Sequence, residues 1–212
     1  MINESRIARH FGGWCMAVDA ISDGRFWKCA ITAIVTIGSV IIADESAAAA
    51  DTKIFDELRF GASGSIQTGH DHEAGVFPEV EVLFNPFGYN PTDGWKDQLL
   101  RPRIHLGTSI GTSDSAATQV FTGLSWTLTH SNGIFTEAGF GGTVHTGNLD
   151  DWTKDGPMLG CRLLFHEYAG IGYNFDNHWS LIAQVAHSSH ANLCDGPNGG
   201  MTRAGLLVGY KF

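Results

Sequence analysis

Side chains that change character at every second residue commit a chain to extended structure with two unlike faces. Residues 179–189 keep such an alternation: Trp179, Leu181, Ala183 and Val185 form an apolar row, and His187 and Ser189 continue it. A base and a hydroxyl therefore fall on a face that is otherwise greasy. After a turn rich in Gly, Asn and Pro, a last segment sets Thr202, Ala204, Leu206, Val208, Tyr210 and Phe212 against Arg203, Gly205, Leu207, Gly209 and Lys211.

From Asp56 onward there is no helical period of useful length, and strand-like segments are separated by clusters of Gly, Asn, Asp and Pro. Eight segments are expected, near 56–68, 77–87, 99–112, 118–130, 133–146, 158–174, 178–190 and 201–212. Several pair an apolar row with a polar or glycine-rich one, as Val120, Thr122, Leu124, Trp126 and Leu128 oppose Phe121, Gly123, Ser125, Thr127 and Thr129. Short links at 131–132 and 176–177 alternate with longer ones near 70–75, 147–156 and 191–200, the asymmetry of outer-membrane barrels. The stretch 88–98 is long for the short-turn side, and 113–117 is short for the other. The expected fold is all-β, an eight-stranded antiparallel up-and-down transmembrane β-barrel whose narrow interior is filled by side chains. Arg59, Glu79, Glu81, Arg103, Glu137, Arg162 and Arg203 are the candidates for that polar filling. The competing fold is a soluble lipocalin-type barrel, which keeps its apolar rows inside. Charged glycine-rich rows, the terminal Phe212 and a girdle of Trp126, Phe140, Tyr173, Trp179, Tyr210 and Phe212 favour the membrane form.

Residues 1–50 read as a secretory signal, with 51–212 as the barrel. Arg6, Arg9, Arg25 and Lys28 precede an apolar run from Cys29 to Ala43 and then the small residues Ala47 to Ala50. Its unusual length before Arg25 leaves Met16 as an alternative start. The net charge of −9 argues against nucleic acid as a partner. Cys161 and Cys194 remain beyond the leader; export permits a disulfide, but the sequence does not say whether their backbones come within bonding range.

Residues two apart on a strand lie ~6.5–7 Å apart, so an imidazole at 187 can lean toward a hydroxyl at 189. Such a pair suits nucleophilic catalysis, in which a base activates the hydroxyl and a third group fixes the base's tautomer. Strand parity places Thr202 on the same outward face, opposite this pair. Asp195, Glu167 and Asp151 are the carboxylates near the same barrel end, with Asp195 the first candidate. Equally, His187, Ser189 and His190 read as polar residues returning at the water boundary, and Asn192, Asp195, Gly196, Pro197 and Asn198 as turn chemistry. His70, Asp71 and His72 read as a solvated loop rather than a metal clip.

The string His187-Ser188-Ser189-His190-Ala191-Asn192-Leu193, followed by Pro197-Asn198 and a strand ending on an aromatic residue, resembles the lipid A 3-O-deacylase (PagL-type) family. The resemblance implies an eight-stranded outer-membrane barrel acting on lipid A, or lipopolysaccharide, in the outer leaflet. It implies no metal or organic cofactor. By the same resemblance His187 is the general base and Ser189 the nucleophile. Thr202 stands where the family has glutamate, His190 where it has asparagine, and Asn192 where glycine is common; the last two are positions of oxyanion stabilisation. The expected activity is therefore an esterase that removes the 3-O-linked hydroxyacyl chain. The alternative is a non-catalytic small barrel with a structural, adhesive or lipid-binding role. A homodimer is left open, and a soluble periplasmic binder is the third reading.

Overall fold

The structure, a computed structural model, describes residues 54–212, so the signal reading of 1–50 lies outside the described residues. Eight strands follow one another: β1 Phe55–Ser65, β2 Val76–Phe84, β3 Arg103–Ser109, β4 Gln119–Thr129, β5 Ile134–His145, β6 Leu163–Asn174, β7 Trp179–Ser189 and β8 Met201–Lys211. Each pairs antiparallel with its neighbours, and β8 returns to β1 to close the barrel. Closure leaves no edge to template aggregation and satisfies the backbone within the wall.

Alternation along the strands sorts the side chains cleanly. The outward rows carry residues such as Phe60, Val80, Leu106, Leu124, Phe140, Ile171, Val185 and Leu206. The inward rows carry the charges. Arg59, wholly buried, donates to Glu57 at 3.0 Å, Glu81 at 3.3 Å and Glu137 at 2.9 Å. Arg103 reaches Asp56 at 2.6 Å, Glu57 at 2.8 Å and Glu137 at 2.7 Å, while the Tyr168 hydroxyl donates to Glu137 at 3.1 Å. Such charges are tolerable away from water only when paired this densely. An apolar outside around an ionic inside is the reverse of a lipocalin, and it makes the chain a membrane barrel.

Two expectations are corrected. Arg162 is no lumen residue; it is exposed and donates to the carbonyls of His145 at 3.3 Å and Gly147 at 2.6 Å. The third strand begins at Arg103 rather than 99, because Trp95–Leu100 forms a short helix, α1. One and a half turns are too few to display a period of 3.6. Tertiary contacts hold α1: Gln98 is buried, donates to the Asp93 carbonyl at 2.6 Å and accepts from the Thr129 amide at 2.8 Å. The β6–β7 turn is fastened by the Asp176 carboxylate, which accepts the amides of Trp179 and His178, both at 2.7 Å. Those bonds hold Asp176 below the usual carboxylate range.

At the long-loop end the connections fold over the barrel mouth. Glu73, from the β1–β2 loop, is fully buried and takes two bonds from Arg203, at 2.7 and 3.0 Å, while the Arg203 guanidinium lies 3.6 Å from the centre of the Phe77 ring. Leu159 packs with Ala117, Leu164 and Met201. Cys161 and Cys194 are joined as a disulfide with their α-carbons 6.3 Å apart, tying the β5–β6 loop to the β7–β8 loop. Periplasmic turns of outer-membrane barrels are short, so this end faces the exterior. At the opposite rim Trp179 meets Tyr210 at 4.9 Å between ring centres and Tyr210 meets Phe212 at 5.4 Å. Phe140 leaves the expected girdle: it sits mid-strand on β5 and stacks with Phe165 at 5.7 Å.

Candidate active site

Three strands deliver one outward row near the external rim. Cross-strand pairing puts Glu167 of β6 opposite His187 of β7, and His187 opposite Thr202 of β8. Ser189 lies two residues farther along β7, opposite Phe165. His187, Ser189 and Thr202 are each half-buried, and Glu167 is exposed. The row thus contains two hydroxyls, an imidazole and a carboxylate, all presented to lipid.

The imidazole is held on two sides. Its Nδ1 pairs with the Thr202 hydroxyl at 2.8 Å. For Nε2 to be free to accept a proton, Nδ1 must carry the hydrogen and Thr202 Oγ1 must accept it. Gly200 presses on the other edge: a β-carbon there would lie 2.9 Å from Cε1 of His187 and 3.3 Å from Nε2, and its φ of +64° is unfavourable to L side chains. Gln67, in the loop after β1, fixes that stretch by accepting the Thr202 amide at 2.8 Å and donating to the carbonyls of Gly199 and Gly200, both at 3.2 Å. Gln67 and Gly200 were not among the residues expected from sequence. They reach the site through tertiary contacts, Gln67 from the loop after β1 onto residues 199–202 and Gly200 onto His187 of β7. Ser189 makes no side-chain hydrogen bond to another described residue, leaving its hydroxyl open to an incoming group.

The remaining candidates sit on the β7–β8 loop. His190 is buried, and both ring nitrogens are engaged: Nδ1 accepts the Cys194 amide at 3.3 Å, which leaves Nε2–H to donate to the Pro197 carbonyl at 3.1 Å. Its own amide donates to Asn198 Oδ1 at 3.2 Å. This histidine braces the loop. Ala191 and Asn192 have φ of +50° and +59°, a region that disfavours most side chains and that asparagine tolerates better. Asn192 therefore has the backbone that glycine would supply; its side-chain Oδ1 accepts from Asn198 at 3.4 Å, and its backbone N–H has no partner among the described residues. Asp195 is exposed and makes no hydrogen bond with the described residues. Cys161, His190 and Cys194 cluster closely enough to suggest metal ligands, but the disulfide leaves no thiolate to bind one.

A groove of about 510 Å³ adjoins the row, lined by Leu163, Phe165, Leu193, Gly141 and Gly142 with the disulfide beside them. Its walls are mostly apolar, with Arg162 and His190 the polar residues of the lining, and Phe165 links it to Ser189.

The same sheet carries a second serine–histidine pair, facing inward. Ser188 donates to Gln119 at 2.9 Å and lies 3.0 Å from Nδ1 of its cross-strand neighbour His166. With its proton given to Gln119, Ser188 must accept from His166 rather than be activated by it. Both are buried.

The profile of the lipid A 3-O-deacylase (PagL) family matches residues 86–211, which take in β3 to β8 and every residue of the outward row. The chain belongs to the lipid A 3-O-deacylase family. The crystal structure of the outer membrane enzyme PagL aligns with a TM-score of 0.51 at 20% identity, covering 73% of this chain and 97% of that one. The N-terminal β-barrel domain of Pseudomonas aeruginosa OprF aligns at 0.47 and 11% identity, covering 76% of this chain and 98% of the other. Comparison with curated protein sequences gives no match. As a deacylase-family barrel with apolar outward rows, the chain resides in the bacterial outer membrane. Thr202, which the sequence resemblance set at the family's glutamate position, pairs through its hydroxyl with Nδ1 of His187.

Proposed function

We propose that this protein is an esterase that releases the 3-O-linked hydroxyacyl chain of lipid A in the outer leaflet. The observation that carries this reading is the outward placement of His187 and Ser189 at the external rim of a deacylase-family barrel. An ester just beneath the lipid headgroups meets such a pair without leaving the membrane, and that positioning lowers the entropic barrier to reaction.

Ser189 Oγ attacks the ester carbonyl as its proton passes to Nε2 of His187. The tetrahedral oxyanion is met by the unpartnered backbone N–H of Asn192, the kind of donor that stabilises developing charge. Collapse breaks the bond to the sugar oxygen, which takes the proton from Nε2, and leaves the acyl chain on Ser189. Water, deprotonated by the same nitrogen, attacks the acyl carbonyl; the bond to Ser189 Oγ breaks, Oγ takes the proton back from Nε2 and the hydroxy acid leaves. The groove beside Phe165 suits the departing chain, since its volume lies in the ordinary range for ligand sites and its walls are mostly apolar.

The neutral Thr202 favours a second reading, a barrel of the same architecture without turnover, because a hydroxyl orients the imidazole but adds no counter-charge. One measurement separates the two: the mass of lipid A from cells expressing this chain, compared with Ser189→Ala and His187→Ala. Loss of one hydroxyacyl chain in the parent alone supports the esterase. Unchanged mass with a folded, heat-modifiable barrel in the outer membrane supports the inert one.

A further inference from the structure

Glu167 occupies an unusual position. Along the outward rows of the described strands the only acidic residues are Asp56, at the periplasmic end of β1 and bonded to Arg103, and Glu167. No side-chain hydrogen bond or ion pair with a described residue engages Glu167. An ionisable group on a lipid-facing row is costly and points to function, with its partner to be sought nearby. That partner is directly across the sheet. Glu167 and His187 are paired residues on β6 and β7, and such pairs hold their β-carbons ~4.5–5.5 Å apart.

We infer, on the esterase reading above, that Glu167 is the positioning residue for His187, supplying from β6 the carboxylate that the family places on β8. The groups around the imidazole leave no better source. Thr202 on β8 is neutral, and His166 and Arg203 lie on inward rows behind the wall. Asp195 is exposed on the loop and Asp71 approaches Gly199 rather than the ring. Turning the imidazole about its Cβ–Cγ bond moves Nδ1–H from the Thr202 side toward β6. Three rotatable torsions let the Glu167 carboxylate take that hydrogen bond while Nε2 serves Ser189. The serine proton goes to Nε2, Nδ1 keeps its hydrogen, and Glu167 remains ionised beside the imidazolium. Thr202 and Glu167 thus flank the base from opposite strands: the hydroxyl can donate or accept, whereas the carboxylate only accepts and so selects the Nδ1–H tautomer.

The test uses the full barrel in detergent micelles, with lipid A as substrate and nitrogen-resolved imidazole spectra of His187 as an activity-independent readout. Glu167→Gln is expected to lower kcat about 10- to 100-fold with KM within about twofold, a smaller loss than the ~10²–10⁴-fold of removing a general base itself. In the spectrum it should turn a single Nδ1–H tautomer into a mixture. Adding Thr202→Glu to Glu167→Gln should restore both kcat and the single tautomer, which repair of a merely structural contact on β6 would not do. If Glu167→Gln leaves kcat and spectrum as in the parent while Ser189→Ala abolishes turnover, this role for Glu167 is overturned and the esterase reading stands. If the parent itself shows no turnover, the esterase reading fails and the spectrum alone decides whether Glu167 holds His187.

Discussion

Two serine–histidine pairs lie back to back on β6 and β7, and only the one facing out has the makings of a site. Inside, Ser188 and His166 are in hydrogen-bond contact, yet the serine proton is committed to Gln119 and the pair is buried. Outside, His187 and Ser189 are not bonded to each other, but the base is oriented by Thr202, the hydroxyl is open and an apolar groove adjoins. Contact distance alone points to the inner pair. Access, proton direction and surroundings favour the outer one, and resting geometry in catalytic sites commonly tightens only with substrate bound.

The contrast is open to attack by mutation. Ser189→Ala should carry the largest effect, reducing lipid A deacylation to background in the mass assay. Arg59→Ala comes next and acts on the inner side, since it leaves Glu81 buried without its cation and Glu57 and Glu137 with Arg103 alone. A cost of about 3–5 kcal/mol is expected for stranding buried charge, read as a lower denaturation midpoint of the refolded barrel. Gly200→Ala should lower kcat by about tenfold by displacing the His187 ring, as small misplacements at reacting groups do, while heat-modifiable mobility is retained. Ser188→Ala is expected to change turnover by less than about threefold, in line with substitutions away from the reacting groups. Equal losses from Ser188→Ala and Ser189→Ala would dissolve the distinction between the faces.

Much of this was legible beforehand. The strands begin and end within a few residues of the expected bounds, except around α1 and at the start of β6, where the loop carrying Met158 and Leu159 is drawn into the mouth instead of pairing. The outward placement of His187, Ser189 and Thr202 followed from parity, as did the opposition of His187 and Thr202. Glu167 stood among three carboxylates near the site, behind Asp195. Nearness to the same barrel end does not rank the three, whereas the register of β6 against β7 makes Glu167 the direct neighbour of His187.

The sequence by itself determined which residues face lipid, because side chains on a strand alternate by covalent geometry and need no partner to do so. It also determined the barrel and, through the resemblance of residues 187–198, the family. Register between strands, the helix after β2, the disulfide and the packing of Gly200 on His187 were decided only in the tertiary structure. Each depends on which distant segments are brought side by side, and the alternation within one strand is the same for any register that keeps its parity.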